Sequence, residues 1–303
     1  MIDRRQWLAS AAGLAALGLA GCGAAPAPAP LARGDPPRRL WPEAGAARGT
    51  VLLAPGLGFT GRLWDLPGAG GLAPALARRG WRVVAAELPG DLAASTAALT
   101  RLAALDLPRP LIGLGLDLGG TALLGADGLD GLVLIGAPIA SGGFSPAMRY
   151  VLTAPGAPTW RALASKGLAG VPLDRLLLSA DLPPNVRRPL LRDALAPMPL
   201  AVRAAWYQPG AAAPIPAPLP ILDALRRPRP TLCVLSPADA LAPPWQCDPS
   251  AFGVRHPQLT RIHPTRANGF GREYGHLDPV LHPDARRAVW PTIFEWMDQR
   301  VAA

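Results

Sequence analysis

The chain has 303 residues, half of them hydrophobic, enough for one large domain or two small ones around a sizeable core. Its 38 prolines and 33 glycines imply many turns and irregular connections. The net charge of +9 is carried almost wholly by arginine, with Lys166 the sole lysine. The arginines lie in scattered pairs (Arg187-Arg188, Arg226-Arg227, Arg286-Arg287) without interleaved aromatics, which argues against a nucleic-acid partner and for a solvated or membrane-facing surface.

In chain order, a short basic start, Arg4-Arg5, precedes an apolar run from Trp7 to Ala20. That run is too short and too rich in Ala and Gly for a membrane-spanning helix. Arg4-Arg5-Gln6-Trp7-Leu8 resembles a twin-arginine export signal, and Leu19-Ala20-Gly21-Cys22 resembles a bacterial lipobox. The resemblance implies a signal peptide over 1–21, cleavage before Cys22 and acylation of its thiol. Losing Arg4, Arg5 and Asp3 would take the charge from +9 to +8. Residues 22–40, Ala- and Pro-rich as far as Pro37, read as a lipidated tether leading to a domain over 41–303. The expectation is an exported lipoprotein anchored in a membrane, facing the periplasm or the cell exterior, and monomeric.

Apolar runs of strand length then alternate with helical spacing. Strands are predicted at Thr50–Ala54, Trp81–Ala86, Leu111–Leu114, Leu132–Ile135 and Thr231–Leu235, and helices at Leu72–Arg79 and Leu92–Leu105. Continuous apolar strands separated by helices predict an α/β domain: a mostly parallel sheet covered on both faces, with its site at the carboxyl ends of the strands. A Pro-broken insertion over about 141–225 has helix-like pieces at Ala147–Leu152 and Leu173–Leu178. It reads either as a helical lid for a greasy substrate or as extra helices packed on the sheet. A last helix is predicted over Asp284–Val301 from the stripe Ala285, Val289, Ile293 and Trp296. Export would permit a disulfide between Cys233 and Cys247, but Cys233 lies in a strand pattern and suits a buried free thiol equally. The four histidines (His256, His263, His276, His282) have no metal-ligand spacing, and neither a metal nor a cofactor is expected.

The third strand runs into Gly115-Leu116-Asp117-Leu118-Gly119-Gly120, a strand turning sharply into a helix. This is the setting of the G-x-S-x-G nucleophile elbow, with aspartate at the serine position. Three further segments line up with it. Pro55-Gly56-Leu57-Gly58, after the first strand, can aim backbone amides at a developing negative charge. Asp239, in Ser236-Pro237-Ala238-Asp239-Ala240-Leu241-Ala242-Pro243 after the fifth strand, can orient an imidazole. His276, in Tyr274-Gly275-His276-Leu277-Asp278 before the last helix, can reach both carboxylates.

The order elbow, acid, histidine resembles the α/β-hydrolase family from about Thr50 onward. The stretch Gly275-His276-Leu277-Asp278, with Val289-Trp290-Pro291 and Trp296, resembles the C-terminal segment of lipases and polyhydroxyalkanoate-synthase-like hydrolases. Carried over by position, the resemblance makes Asp117 the nucleophile, Asp239 the orienting acid and His276 the base, with the Leu57 and Leu118 amides as oxyanion hole. It also implies a hydrolase acting on a small or apolar substrate.

An ionised aspartate needs no base to activate it. On an ester carbonyl it would form a high-energy mixed anhydride; on a saturated carbon it forms a stable alkyl-enzyme ester that water can hydrolyse. Haloalkane dehalogenases and epoxide hydrolases of this fold work in that way. The chain departs from both. Leu118 stands where dehalogenases usually have Trp, and Pro55-Gly56-Leu57-Gly58 stands where epoxide hydrolases usually have His-Gly-x-Pro. Tyr150 and Tyr207 are candidate proton donors, and Trp160 and Trp206 candidate halide donors, in the insertion. The helix behind Asp117 looks truncated, with only Thr121 to Gly125 before Ala126-Asp127-Gly128. The other readings are a non-catalytic ligand-binding lipoprotein and an esterase-like hydrolase with a non-standard nucleophile.

Overall fold

The structure is a computed structural model that describes residues 38–41, 45–66, 70–139, 145–153, 177–198, 202–203, 224–225 and 228–301. The expected signal and the expected lipidation site Cys22 lie outside the described residues, as do most of the expected tether, Trp160, Trp206, Tyr207 and nearly all of the Leu173–Leu178 piece.

The strands are β1 (Arg38–Trp41), β2 (Gly49–Ala54), β3 (Trp81–Ala86), β4 (Leu111–Leu116), β5 (Gly131–Ile135), β6 (Thr231–Val234) and β7 (Leu259–Ile262). The longer helices are α1 (Leu72–Arg78), α2 (Leu92–Ala103), α3 (Asp117–Gly125), α4 (Pro146–Thr153), α5 (Pro184–Asp193) and α6 (Val289–Val301). They build one seven-stranded sheet in the order β1-β3-β2-β4-β5-β6-β7, in which β1 alone is antiparallel. β2 and β4 through β6 are buried along their whole length, as two-sided cover requires.

The predicted strands and helices appear within one or two residues. The two edge strands are additions. β1 begins at Arg38, inside the stretch read as tether, and pairs Leu40 with Val84 and Trp41 with Val83. Trp41 is fully buried, so the folded domain takes in residues before 41. β7 is half-buried throughout. The last helix is corrected too: Pro283–Arg286 is a 3₁₀ turn, and α6 starts only at Val289. That start puts Pro291 in the first turn, where a missing N–H breaks no helical bond. Val289, Ile293, Trp296 and Met297 form its buried face, each burial contributing about 1.5–3 kcal/mol before the entropy cost of ordering.

The chain leaves β2 for β3 on one side and returns past it to β4 on the other. The loops after β2 and β4 therefore flank the topological switch point, where such sheets hold their sites. From the insertion, α4 and α5 are in place, and Ala194–Ala196 pairs with the loop after β2: Ala196 donates to the Gly58 carbonyl at 2.8 Å, and Thr60 to that of Ala194 at 2.9 Å. Cys233 on β6 and Cys247 are buried free thiols, so no disulfide joins them. Burial pushes the Cys233 thiol up to about 12.

Candidate active site

The elbow is set by sterics. A Cβ on Gly119 would lie 2.1 Å from the Pro55 carbonyl oxygen, and one on Gly115 would lie 2.4 Å from Gly120 Cα. Only glycine lets the first turn of α3 press against β4 and the loop after β2. Asp117 at the apex has φ 51°, the one positive φ among the described non-glycine residues. That conformation costs about 1–3 kcal/mol, and aspartate is among the residues that bear it best. α3 is short, nine residues ending at Gly125, as the truncated pattern predicts. Its C-terminal carbonyls are held by Arg229, which donates to Leu124 and Ala126, both at 3.1 Å.

The three predicted side chains converge. His276 Nδ1 lies 2.7 Å from Asp239 Oδ2, and His276 Nε2 lies 4.0 Å from Asp117 Oδ1. Asp239 is fixed from behind, its Oδ1 accepting from the Leu241 and Ala242 amides at 2.9 and 2.8 Å. The acid and imidazole meet over Gly136, in the left-handed region at φ 50°, whose Cβ would stand 2.9 Å from Asp239 Oδ2. All three side chains are at most 2% exposed.

The two predicted oxyanion amides are aimed at Asp117 itself. The Leu57 N–H donates to Asp117 Oδ2 at 3.3 Å, and the Leu118 N–H also bonds the carboxyl. Among the described residues, Asp117 Oδ1 and His276 Nε2 have no hydrogen-bond partner, and they face each other across the 4.0 Å gap. Burial raises the Asp117 carboxyl above the ordinary range, against the pull of His276 and of the two amides. Burial alone would lower His276. Asp239, by charge and hydrogen bond, followed by Asp117 and Asp278, outweighs it and holds the imidazole at about 9.

The loop carrying His276 has an anchor that the motifs did not reveal. Asp278 is fully buried and accepts from the Gly275 amide at 2.8 Å and from Ser179 Oγ at 2.9 Å. Arg272 forms a fork onto Asp181 at 2.8 and 2.9 Å and touches His282. Ser179 and Asp181 belong to the insertion, so these bonds tie it to the histidine loop. The signal in the sequence was a carboxylate two residues after the histidine, but its Ser179 partner lies about a hundred residues away. Tyr150 is half-buried and packs on the core. Among the described residues, no cluster of His, Cys, Asp or Glu has the makings of a metal site.

Residues 51–289 match the model of the alpha/beta hydrolase family, well over half of the chain. No curated protein matches the sequence. Among solved structures, an esterase from a Rhodococcus species shares 17% identity and a TM-score of 0.61 over 90% of this chain and 98% of its own. A thermophilic esterase from Thermogutta terrifontis shares 21% and 0.57 over 90% and 98%. A monoacylglycerol lipase from Paleococcus ferrophilus shares 17% and 0.57 over 87% and 98%. At these identities the likeness speaks for the fold, while the family match speaks for lineage. The chain belongs to the alpha/beta hydrolase family and is a hydrolase of that fold.

Proposed function

We propose that the protein is an exported, membrane-anchored hydrolase that uses Asp117 as a covalent nucleophile on a saturated carbon of a small or apolar substrate. The observation that carries this reading is the division of labour within one carboxylate. Oδ2 accepts from the Leu57 amide at 3.3 Å, while Oδ1 is bare among the described residues and faces His276.

In the first step Oδ1 attacks the carbon, forming a C–O bond as the bond to the leaving group breaks and the leaving group takes its electron pair. The product is an ester whose carbonyl oxygen is Oδ2, already in the cradle that would stabilise an oxyanion. At neutral pH the resting imidazole is protonated, because Asp239 and Asp117 both hold its proton on. Ester formation removes the Asp117 charge, so the imidazole then gives up its proton, to water after halide departure or to the alkoxide after epoxide opening. Neutral His276 takes a proton from water, which attacks Asp117 Cγ. The tetrahedral adduct expels the alcohol, which receives that proton from His276, and the carboxylic acid left on Asp117 passes its proton to His276, restoring the carboxylate and the protonated imidazole. The esterases and lipase of similar fold support hydrolysis in general; the aspartate moves the expected bond from an ester to a C–halogen bond or an epoxide C–O bond.

One observation favours a ligand-binding protein instead: Asp117 and His276 are each 1% exposed, so the site is closed. In the catalytic reading the insertion must part to admit substrate, as a lid does. Trapping separates the two. With His276→Ala, an active enzyme accumulates a covalent ester on Asp117 from a haloalkane or epoxide panel, whereas a binding protein gains no mass. Export and anchoring rest on Arg4-Arg5, the apolar run and Cys22.

A further inference from the structure

His276 sits on a loop that is gripped from both sides. Before it, the Gly275 amide donates to Asp278 Oδ2 at 2.8 Å; after it, the Leu277 amide donates to the Leu177 carbonyl at 3.2 Å. Asp278 Oδ1 in turn accepts from Ser179, from Oγ at 2.9 Å and from the amide at 3.4 Å. Leu177 and Ser179 belong to the insertion, so both holds on the residues flanking His276 lead there. Asp278 opens a short helical turn, Asp278–Leu281, yet its carboxylate is turned away to Gly275 and Ser179. A fully buried carboxylate is costly without such partners. The Ser179 hydroxyl also favours the Asp181 carboxylate, but Asp181 is 67% exposed and water can replace it there; Asp278 is shut off from that substitute.

Nearer its start, the insertion grips the acid loop in the same manner. Ser145 Oγ donates to the Leu241 carbonyl at 2.8 Å and the Ser145 amide to Gln246 Oε1 at 3.1 Å, while the Leu241 amide donates to Asp239 Oδ1 at 2.9 Å. Each member of the Asp239–His276 pair is thus braced by a serine of the insertion through one intermediate residue. The brace matters most at the histidine. Gly275 beside it has more backbone freedom than any other residue type, and without the tie to Asp278 the imidazole would rest mainly on its bond to Asp239 at 2.7 Å.

We infer that Ser179, acting through Asp278, is a positioning residue that sets His276 to activate water at the Asp117 ester, so that the insertion takes part in hydrolysis as well as covering the site. The inference rests on the proposed function for the step that His276 serves. Attack of Asp117 on a haloalkane needs no proton transfer, so a displaced imidazole leaves adduct formation untouched. Hydrolysis needs Nε2 beside a water over Asp117 Cγ, and a displacement of about 1 Å there costs about a hundredfold in rate.

The two steps can be timed separately by rapid-quench intact mass, with 1-bromobutane or whichever haloalkane labels His276→Ala. Ser179→Ala should slow loss of the adduct about tenfold, the effect of one hydrogen bond to a charged group, and leave its formation within about twofold. Ser179→Thr keeps the hydroxyl at a half-buried position and should hydrolyse within about threefold of wild type. A second readout needs no substrate: water exchange of the His276 Nδ1 proton, followed by NMR. Ser179→Ala should speed that exchange about tenfold, since the loop opens more readily, and Ser179→Thr should not. Unchanged exchange in Ser179→Ala, an equal effect of threonine and alanine, or slowing shared by adduct formation overturns the inference. Failed labelling with the exchange result intact removes the covalent mechanism and leaves the positioning of His276; the reverse outcome removes the positioning alone.

Discussion

Replacing Asp117 by Asn should stabilise the protein while abolishing its chemistry. The carboxyl is 1% exposed, with one oxygen on the Leu57 amide and the other without a partner among the described residues. Burial raises its pKa, so the folded state resists its ionisation. Asparagine has the same shape, keeps a carbonyl oxygen for the amides and carries no charge. Relief of a buried, poorly satisfied charge is worth about 1–3 kcal/mol, and loss of the attraction to His276 at 4.0 Å offsets part of it. A net gain of about 1–2 kcal/mol corresponds to about 2–4 °C in Tm for a domain of this size. The pH dependence gives the sharper check. A carboxyl whose folded pKa is raised favours the folded state below its unfolded pKa of 3.8, and that contribution is lost as pH rises through the folded value. The asparagine advantage should therefore be smallest near pH 4 and grow as pH rises through the folded value of Asp117, as read by thermal melts of both proteins from pH 4 to 8. A variant less stable than wild type at pH 7, or an advantage independent of pH, would refute the reasoning.

Two further expectations concern charge and location. The His276 imidazole should titrate near 9 by NMR in the wild type and lower in Asp117→Asn, since Asp117 is one of the groups holding its proton on. With its pKa raised above the unfolded 6.5, its contribution to stability should be full below pH 6.5 and lost as pH rises through about 9. A midpoint near 6.5, unmoved by Asp117→Asn, would contradict this. Palmitate labelling in a bacterial host should tag the wild-type protein and not Cys22→Ala; equal labelling, or none, would contradict lipidation at Cys22.

What the sequence disclosed depended on how local each signal was. β2 through β6 show as continuous apolar runs because two-sided burial demands them. β1 and β7 are four-residue edge strands that include Arg38, Arg39 and Arg261, with polarity suited to a rim and no local pattern to separate them from loops. Asp117, Asp239 and His276 were legible through chain order, because the parallel topology carries the loops after β4 and β6 and the loop before α6 to one end of the sheet. The Asp278 anchor was not, because its meaning lies in a contact with Ser179 across about a hundred residues. The orientation of the Asp117 carboxylate was illegible as well: no spacing rule says that one oxygen sits in the amide cradle and the other stays bare.

The most direct measurement of the central claim is the intact mass of His276→Ala after incubation with haloalkanes and epoxides. If Asp117 is the nucleophile, the variant gains the mass of one alkyl group from a haloalkane or of one whole ring-opened epoxide, peptide mapping places it on Asp117, and the double variant Asp117→Asn with His276→Ala gains nothing. An adduct elsewhere, or wild-type turnover of the same compounds without any adduct in His276→Ala, would contradict the account.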